Sequence, residues 1–363
     1  MRQRRRAGGK RGVAAVLVAA AAMFSAVLTF GFNPFQDNLG TITSPLPVVA
    51  RWNSMPVAWL LNPDTPSGNV ATPNCVLGGT PESCIQQPLS DGFTTWMGAQ
   101  VAGQSLTVLN VQYGGTSTLT SPDYQDCQNV VGFSDTNTSD FSTGTIAFTQ
   151  VATFTPSGGV STYSCSGGNT RTCNLQDCIA DADIEFNPSV NFTTSPSPPS
   201  GTFSLQSVAT HEEGHLLGLD HSGIGHTVMF PFGDSTAAHQ QTTLAADDAI
   251  GISYLYPTSN FSTSTGTISG TVNLSGTGVF GAHVVAVNAN TGNAVTDGIS
   301  ASDGTYRLVV PPGNYRVLAL PFSPNADSGV LTMDNFSGWL CGYADSQCTT
   351  VLDNPTSYTG RYH

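Results

Sequence analysis

The chain has little positive charge, and that little is crowded at one end. Of its 11 Lys and Arg, six lie at Arg2, Arg4, Arg5, Arg6, Lys10 and Arg11. Beyond them stand five Arg and no Lys, against 24 acidic residues, about −19 once residues 1–32 are set aside. Such a surface repels phosphate, so nucleic acid and anionic membrane surfaces are excluded as partners. Charge of either sign is scarce, at 10% of residues, while Gly, Ser, Thr and Asn are abundant. That balance favours strands and loops with few helices. Histidine is absent before position 211, which excludes a histidine-based metal site in the first 210 residues. No two cysteines stand in C-x-x-C spacing, so no zinc knuckle is indicated.

Only one long apolar run exists, Val13 to Phe30, directly behind the basic cluster. A basic stretch followed by an apolar one reads as a secretory signal over residues 1–32, and the protein is expected to be secreted. No clear A-x-A site follows. An uncleaved N-terminal anchor is therefore the alternative, and the one route by which a membrane would become a partner. Eight cysteines behind an export signal suggest disulfides. Spacing invites Cys75 with Cys84 and Cys341 with Cys348, leaving Cys127, Cys165, Cys173 and Cys178 to pair among themselves. Of the 24 acids, 20 are Asp, many in loops. Calcium sites fit that composition, and solvated loop carboxylates are its commoner explanation.

What the chain does have is concentrated in one stretch, HEEGHLLGLDHSGIGHTVMFP, from His211 to Pro231. On a helix, His211 and His215 share one face, four residues apart. Both imidazoles can reach one metal ion, with Glu212 beside them to act on water. Gly218 tolerates the positive φ of a turn that ends the helix, so the chain can double back and bring in His221. Three nitrogen ligands leave a fourth position open, the arrangement of a catalytic zinc site. The chain holds only seven His and four Glu, so five fixed positions are a strong signal against a chance match.

This pattern, H-E-x-x-H-x-x-G-x-x-H with Met229 eight residues beyond the last His, resembles the metzincin signature. Ser222 after the third His and Met-Phe-Pro at 229–231 make it similar to matrixin-type peptidases of bacteria. Metzincins with an additional Tyr ligand carry it just after the Met. Here that position is Phe230, so a three-His site is implied. The resemblance implies an α+β catalytic domain, a mixed twisted sheet with about three helices, over residues 33–257. It further implies that Met229 forms an apolar floor below the ligands and that Phe230 and Pro231 begin the wall of the S1′ pocket.

The pattern of apolar residues is consistent with that order. Residues 51–62 read as a first strand, and Leu89, Phe93, Trp96, Met97 and Val101 fall on one helical face. Strand-like runs follow at 106–113, 129–133, 145–154 and 182–187, then a Ser/Pro-rich loop at 188–202. The motif helix begins near Phe203, and 244–256 reads as a last helix with Leu244, Ile250, Ile252 and Leu255 inward. Its Asp-Asp-x-x-Gly-Ile pattern is also similar to the matrixin C-terminal helix.

Residues 258–363 read as a Ser/Thr-rich linker followed by a second unit with a tail that carries Cys341 and Cys348. From Gly266, alternating apolar residues are broken by Asn-Thr-Gly, Ser-Asp-Gly-Thr and Pro-Pro-Gly-Asn turns, the pattern of a small all-β sandwich. It resembles the transthyretin-like regulatory domain of carboxypeptidases, a module that is not itself catalytic.

Three features depart from the matrixin pattern. Glu213 follows the catalytic Glu where an apolar residue is usual; it could face solvent, or perturb the site if buried. No upstream histidines exist for the structural zinc that matrix metalloproteinases carry. No cysteine-switch motif precedes the domain. His226 and His239 lie near the motif and are expected to serve the surface or the fold.

The expected function is a secreted endopeptidase acting on protein or peptide through one zinc ion held by His211, His215 and His221, with Glu212 as general base. Two alternatives stay open. One is a non-catalytic surface-binding protein that keeps the metal as a staple, against which an intact Glu212 argues. The other is a zinc hydrolase of a non-protein substrate.

Overall fold

The structure is a computed structural model. It describes residues 49–64, 70–71, 81–119, 125–133, 141, 144–154, 156, 159–175, 178–233, 240–301, 303–322, 331, 335 and 361–362. The leader, His239, Cys75, Cys341 and Cys348 lie outside the described residues. Among the described residues no helix is long and apolar enough to cross a membrane.

The N-terminal half is built on a mixed six-stranded sheet. Cys178–Phe186 lies at its centre, parallel to Arg51–Trp52 at one end and to Val130–Gly132 at the other. Val57–Leu61 and Val111–Thr116 extend the parallel part. Ala147–Phe154 runs antiparallel along the other side of Cys178–Phe186 and forms an edge. Every residue of Cys178–Phe186 is buried, as expected for a strand covered on both faces. Its two faces differ sharply. Ala182, Ile184 and Phe186 enter the apolar core, while Asp181, Asp183 and Glu185 alternate with them.

Two long helices cover the sheet. Helix α1, Pro81–Met97, starts eight residues earlier than the apolar stripe from Leu89 indicates, because its first turns carry Ser, Gln and Pro88 rather than a periodic apolar set. Leu89, Phe93 and Trp96 are buried as expected. Helix α2, Leu205–Leu216, carries the motif, and Ser204 caps it by accepting from Ser207 N. Helix α3, Ala246–Leu255, follows the motif turn, and Ile250, Ile252 and Leu255 point into the core.

Strand boundaries differ from the expected ones in several places: the run at 51–62 is two strands, Arg51–Trp52 and Val57–Leu61, and the run at 182–187 is the end of Cys178–Phe186. The run at 106–113 is a strand only from Val111 to Thr116. Leu106–Val108 instead lies beside Tyr256–Thr258, through Val108 N to Tyr256 O and Thr258 N to Leu106 O. A hairpin of Ser161–Ser164 and Thr170–Cys173 was not legible, because its short, mostly polar strands carry no alternating apolar set. Two disulfides hold this region, Cys127–Cys165 and Cys173–Cys178, within the expected group of four. Cys84 is also disulfide-bonded.

A β unit follows. Gly266–Thr271 pairs with Thr305–Val310, and a second sheet runs Ala294–Ile299, His283–Asn288, Tyr315–Leu320, Arg361–Tyr362. Val284, Ala286, Leu308 and Val310 form its own small core. Val295 and Val309 join the main core instead, so the two units share buried apolar surface. The strand Ala294–Ile299 lies against α3 and is buried along its length after Ala294.

Candidate metal centre

Helix α2 runs through the interior, and every residue from Ser207 to Leu216 is buried. Burying a helix with two His and two Glu requires partners for its polar groups. Several aromatic and hydroxyl side chains meet its backbone. Trp96 Nε1 donates to Thr210 O at 2.8 Å and Trp52 Nε1 to Leu216 O at 2.9 Å. Tyr256 Oη donates to Leu217 O at 2.7 Å, just beyond the helix.

The helix ends in a Schellman turn. Leu219 N donates to Gly214 O, and Gly218 N to His215 O, both at 2.9 Å. Gly218 has φ 101°, and a Cβ there would collide with Ala50 O. This turn reverses the chain and brings His221 over the helix.

The three histidines meet as the spacing predicts. Their ligating atoms lie within 4.8 Å of one another, the only such group of three or more His, Cys, Asp or Glu among the described residues. His211 Nε2 and His215 Nε2 are 3.0 Å apart. Each ring is oriented through its other nitrogen. His211 Nδ1 donates to Val228 O at 2.6 Å, His215 Nδ1 to Leu219 O at 2.7 Å and His221 Nδ1 to Asn335 O at 2.8 Å. With Nδ1 carrying the proton, each Nε2 offers a lone pair inward. Burial holds all three imidazoles below the usual histidine range, with His221 lowered to about 4, so they are neutral ligands at pH 7. Three neutral, converging nitrogens fit a zinc ion.

Glu212 sits beside them. Its Oε2 accepts from Thr149 Oγ1 at 2.7 Å, and its Oε1 is buried without a hydrogen-bond partner among the described residues. Burial raises this carboxyl to about 7, opposed by the Thr149 hydrogen bond. Thr149 also lies 3.0 Å from Glu212 O and comes from the edge strand Ala147–Phe154.

Glu213 is buried rather than solvated, on the face of α2 turned to α1. A Cβ at Gly92 would collide with its carboxylate, so Gly92 makes the space it fills. Both oxygens are buried without a hydrogen-bond partner among the described residues. Desolvation, and then the charge of Asp91, hold its pKa well above the ordinary range. Burial thus favours the protonated carboxyl, which is how the group is accommodated there.

The turn at Val228–Met229 lies against the motif helix and carries the carbonyl that orients His211. Met229 is buried and packs on the motif helix, where a Cβ at Gly214 would collide with its sulfur and lie 2.7 Å from Trp96 Cζ2. Asp248 of α3 accepts from Val228 N at 2.9 Å, Met229 N at 3.1 Å and Ala245 N at 2.8 Å. Gln241 Nε2 donates to Val228 O at 3.0 Å and Phe230 O at 2.8 Å. Phe230 is half-buried beside Phe232, and Pro231 is buried. His226 is exposed at φ 70° and stands outside the ligand group.

Residues 161–257 match the matrixin peptidase family. The matched segment begins at the disulfide-bonded hairpin and ends after α3, so it contains the triad, the Schellman turn and Met229. Similar proteins include metalloendoproteinase 2-MMP of Arabidopsis thaliana, 43% identical over 79 residues, or 22% of this chain and 20% of that protein. Metalloendoproteinase 1 of Glycine max is 42% identical over 79 residues, covering 22% of this chain and 25% of the relative. Stromelysin-3 of Xenopus laevis is 48% identical over 56 residues, or 15% and 11%. The chain thus spans a quarter or less of the length of these relatives. Over this segment it is matrixin-like.

Thr149, Gln241, Asp248 and Asn335 escaped the sequence reading. Asp248 alone carried a signal, as part of the Asp-Asp pair in α3. The others act from outside the motif and have no local spacing that marks them.

Proposed function

We propose that the protein is a secreted zinc-dependent endopeptidase. The observation that carries this is the three-His cluster with every Nδ1 held by a carbonyl and the Glu212 carboxyl beside it. The matrixin match supports the same reading. His211, His215 and His221 would hold the zinc ion. When bound, it supplies a Lewis acid that polarises the scissile carbonyl and acidifies water.

The remaining steps belong to the protein. Glu212 takes a proton from the attacking water on its carboxylate and passes it to the leaving amine nitrogen. Burial, which raises this carboxyl above the ordinary range, helps it to hold the proton between the two halves of that transfer. Thr149 fixes the carboxylate rotamer so that one oxygen stays directed to the reacting groups. The edge strand Ala147–Phe154 has no strand partner on its outer side among the described residues, and it adjoins Glu212 through Thr149. An extended peptide would pair there as an added strand, with Phe230 and Pro231 lining the pocket for the residue after the cut. The N-terminal basic and apolar stretch supports export.

The test is metal content and casein hydrolysis on residues 33–363, beside Glu212→Ala. One zinc per chain with cleavage by the parent, and zinc without cleavage in the variant, is the expected result. A folded protein that takes up no zinc would overturn the assignment.

A further inference from the structure

The β unit reaches the metal site through one carboxylate. Asp297, on Ala294–Ile299, is fully buried. Its Oδ1 accepts from Ser222 Oγ at 3.2 Å, and its Oδ2 accepts from Gly223 N at 2.8 Å. These are the two residues after His221. His283 Nε2, on the adjacent strand, lies 2.6 Å from the same Oδ2, and its ring stacks on Phe322 at 5.3 Å. The Asp297 backbone N–H donates to Asp247 Oδ1 at 3.2 Å, next in sequence to the Asp248 that anchors Met229. Ser222 Oγ in turn accepts from Ile224 N at 3.2 Å, so the carboxylate organises the whole 222–224 turn. Asn335, also in the C-terminal part of the chain, supplies the carbonyl for His221 Nδ1.

We infer that Asp297, braced by His283, is a positioning residue for the third metal ligand, and that the β unit is therefore a working part of the metal site. This rests on the zinc reading above and deepens it. His211 and His215 are carried by a helix; His221 follows a turn, where its N–H donates to Asp220 Oδ1 at 2.6 Å and Ser222 N to Met229 O at 2.9 Å, leaving the Ser222 side chain and Gly223 N to be held from the β unit. A buried carboxylate that fixes the next two residues supplies that constraint. An interface serving only to join the two units would not need its buried acid at the residues after a ligand.

Two variants separate positioning from simple packing. Asp297→Asn removes one acceptor oxygen at constant shape. Gly223→Ala leaves Asp297, His283 and all three ligands in place, but its Cβ would meet Asp297 Oδ2 at 2.6 Å and His283 Nε2 closer still. It therefore wedges the contact open. Zinc affinity, read by competition with a chromogenic chelator, is expected to fall about tenfold to a hundredfold in each variant. The visible spectrum of the cobalt-substituted form should change with it. Zinc affinity and cobalt spectrum unchanged in folded variants would overturn the inference, even if their melting temperatures drop. Absence of zinc from the parent would fault the zinc reading instead.

If neither variant folds, hydrogen exchange on the parent chain decides. Zinc should slow exchange at the Gly223 and Asp297 amides, since coupling between sites is reciprocal. Protection confined to 203–221 and 228–229 would overturn the inference.

Discussion

The first two histidines and the third are held by different parts of the molecule. His211 and His215 take their orienting carbonyls from Val228 and Leu219, 17 and four residues away. Those carbonyls lie within the matrixin segment, on turns pinned by Asp248 and by Gly218. His221 takes its carbonyl from Asn335, 114 residues on, and its neighbours are fixed by Asp297. The difference teaches that the motif places all three ligands but orients only the first two from within, while the third is completed by chain far outside it. Matching the motif alone therefore understates what the site requires.

The largest effect should come from a change that spares both halves. Glu212→Gln keeps the ligands and the Thr149 contact but removes the base. Peptide hydrolysis should fall about 10²- to 10⁴-fold with zinc content unchanged, measured by kcat on a quenched peptide and by metal analysis. Loss of zinc in this variant would mean that holding the metal and doing the chemistry are not separable.

Gly214→Ala attacks the local half. Its Cβ would crowd the Met229 sulfur and Trp96, so a loss of about 1–3 kcal/mol in urea-unfolding stability is expected. Full stability would show that the contact between α2 and the methionine turn has slack, and would weaken the case for a rigid platform.

Thr149→Val probes the base through the edge strand. The hydroxyl favours the ionised carboxylate, and its loss raises the Glu212 pKa. The active form is the deprotonated one, so the acid limb of kcat/KM should move to higher pH, by up to about one unit. Charge from a bound metal acts equally on parent and variant and cancels in the comparison. An unmoved limb would place the controlling titration elsewhere.

The smallest effect lies away from the site, on the acidic face of Cys178–Phe186. Asp181 is raised to about 8, mainly by burial, despite its hydrogen bond from Cys127 N. Its folded pKa exceeds the ordinary 3.8, so the folded chain binds more protons between those values. Stability then falls as pH rises through that window. Asp181→Asn should lessen the fall, raising the melting temperature at pH 8 by a few degrees and leaving it unchanged near pH 4. Equal shifts at both pH values would point to packing rather than ionisation.

How much of this was legible depends on the range of the interaction. The triad was readable because helical spacing and one glycine determine where His211, His215 and His221 go. The buried stripe of α1 and the apolar residues of α3 followed from periodicity. Burial of Glu213 did not, because the space for it is made by Gly92, about 120 residues earlier and on another helix. The Thr149–Glu212 pair depends on which strand forms the sheet edge, a tertiary outcome with no local mark. The β unit was expected from its turns, yet nothing in its alternating pattern distinguishes Asp297 from an exposed turn aspartate such as Asp303. Its meaning comes only from what the strand faces.

The long separation between His221 and its partners also sets a timetable. A nascent chain can form α2 once the motif has been made, but Trp52 must already wait for Leu216, and Tyr256 has yet to arrive. The carbonyl that orients His221 does not exist until residue 335 has been synthesised. Contacts of such separation form late and slowly. The finished metal site therefore cannot exist until at least 114 residues beyond His221 have been made, and the motif must persist unassembled over that interval.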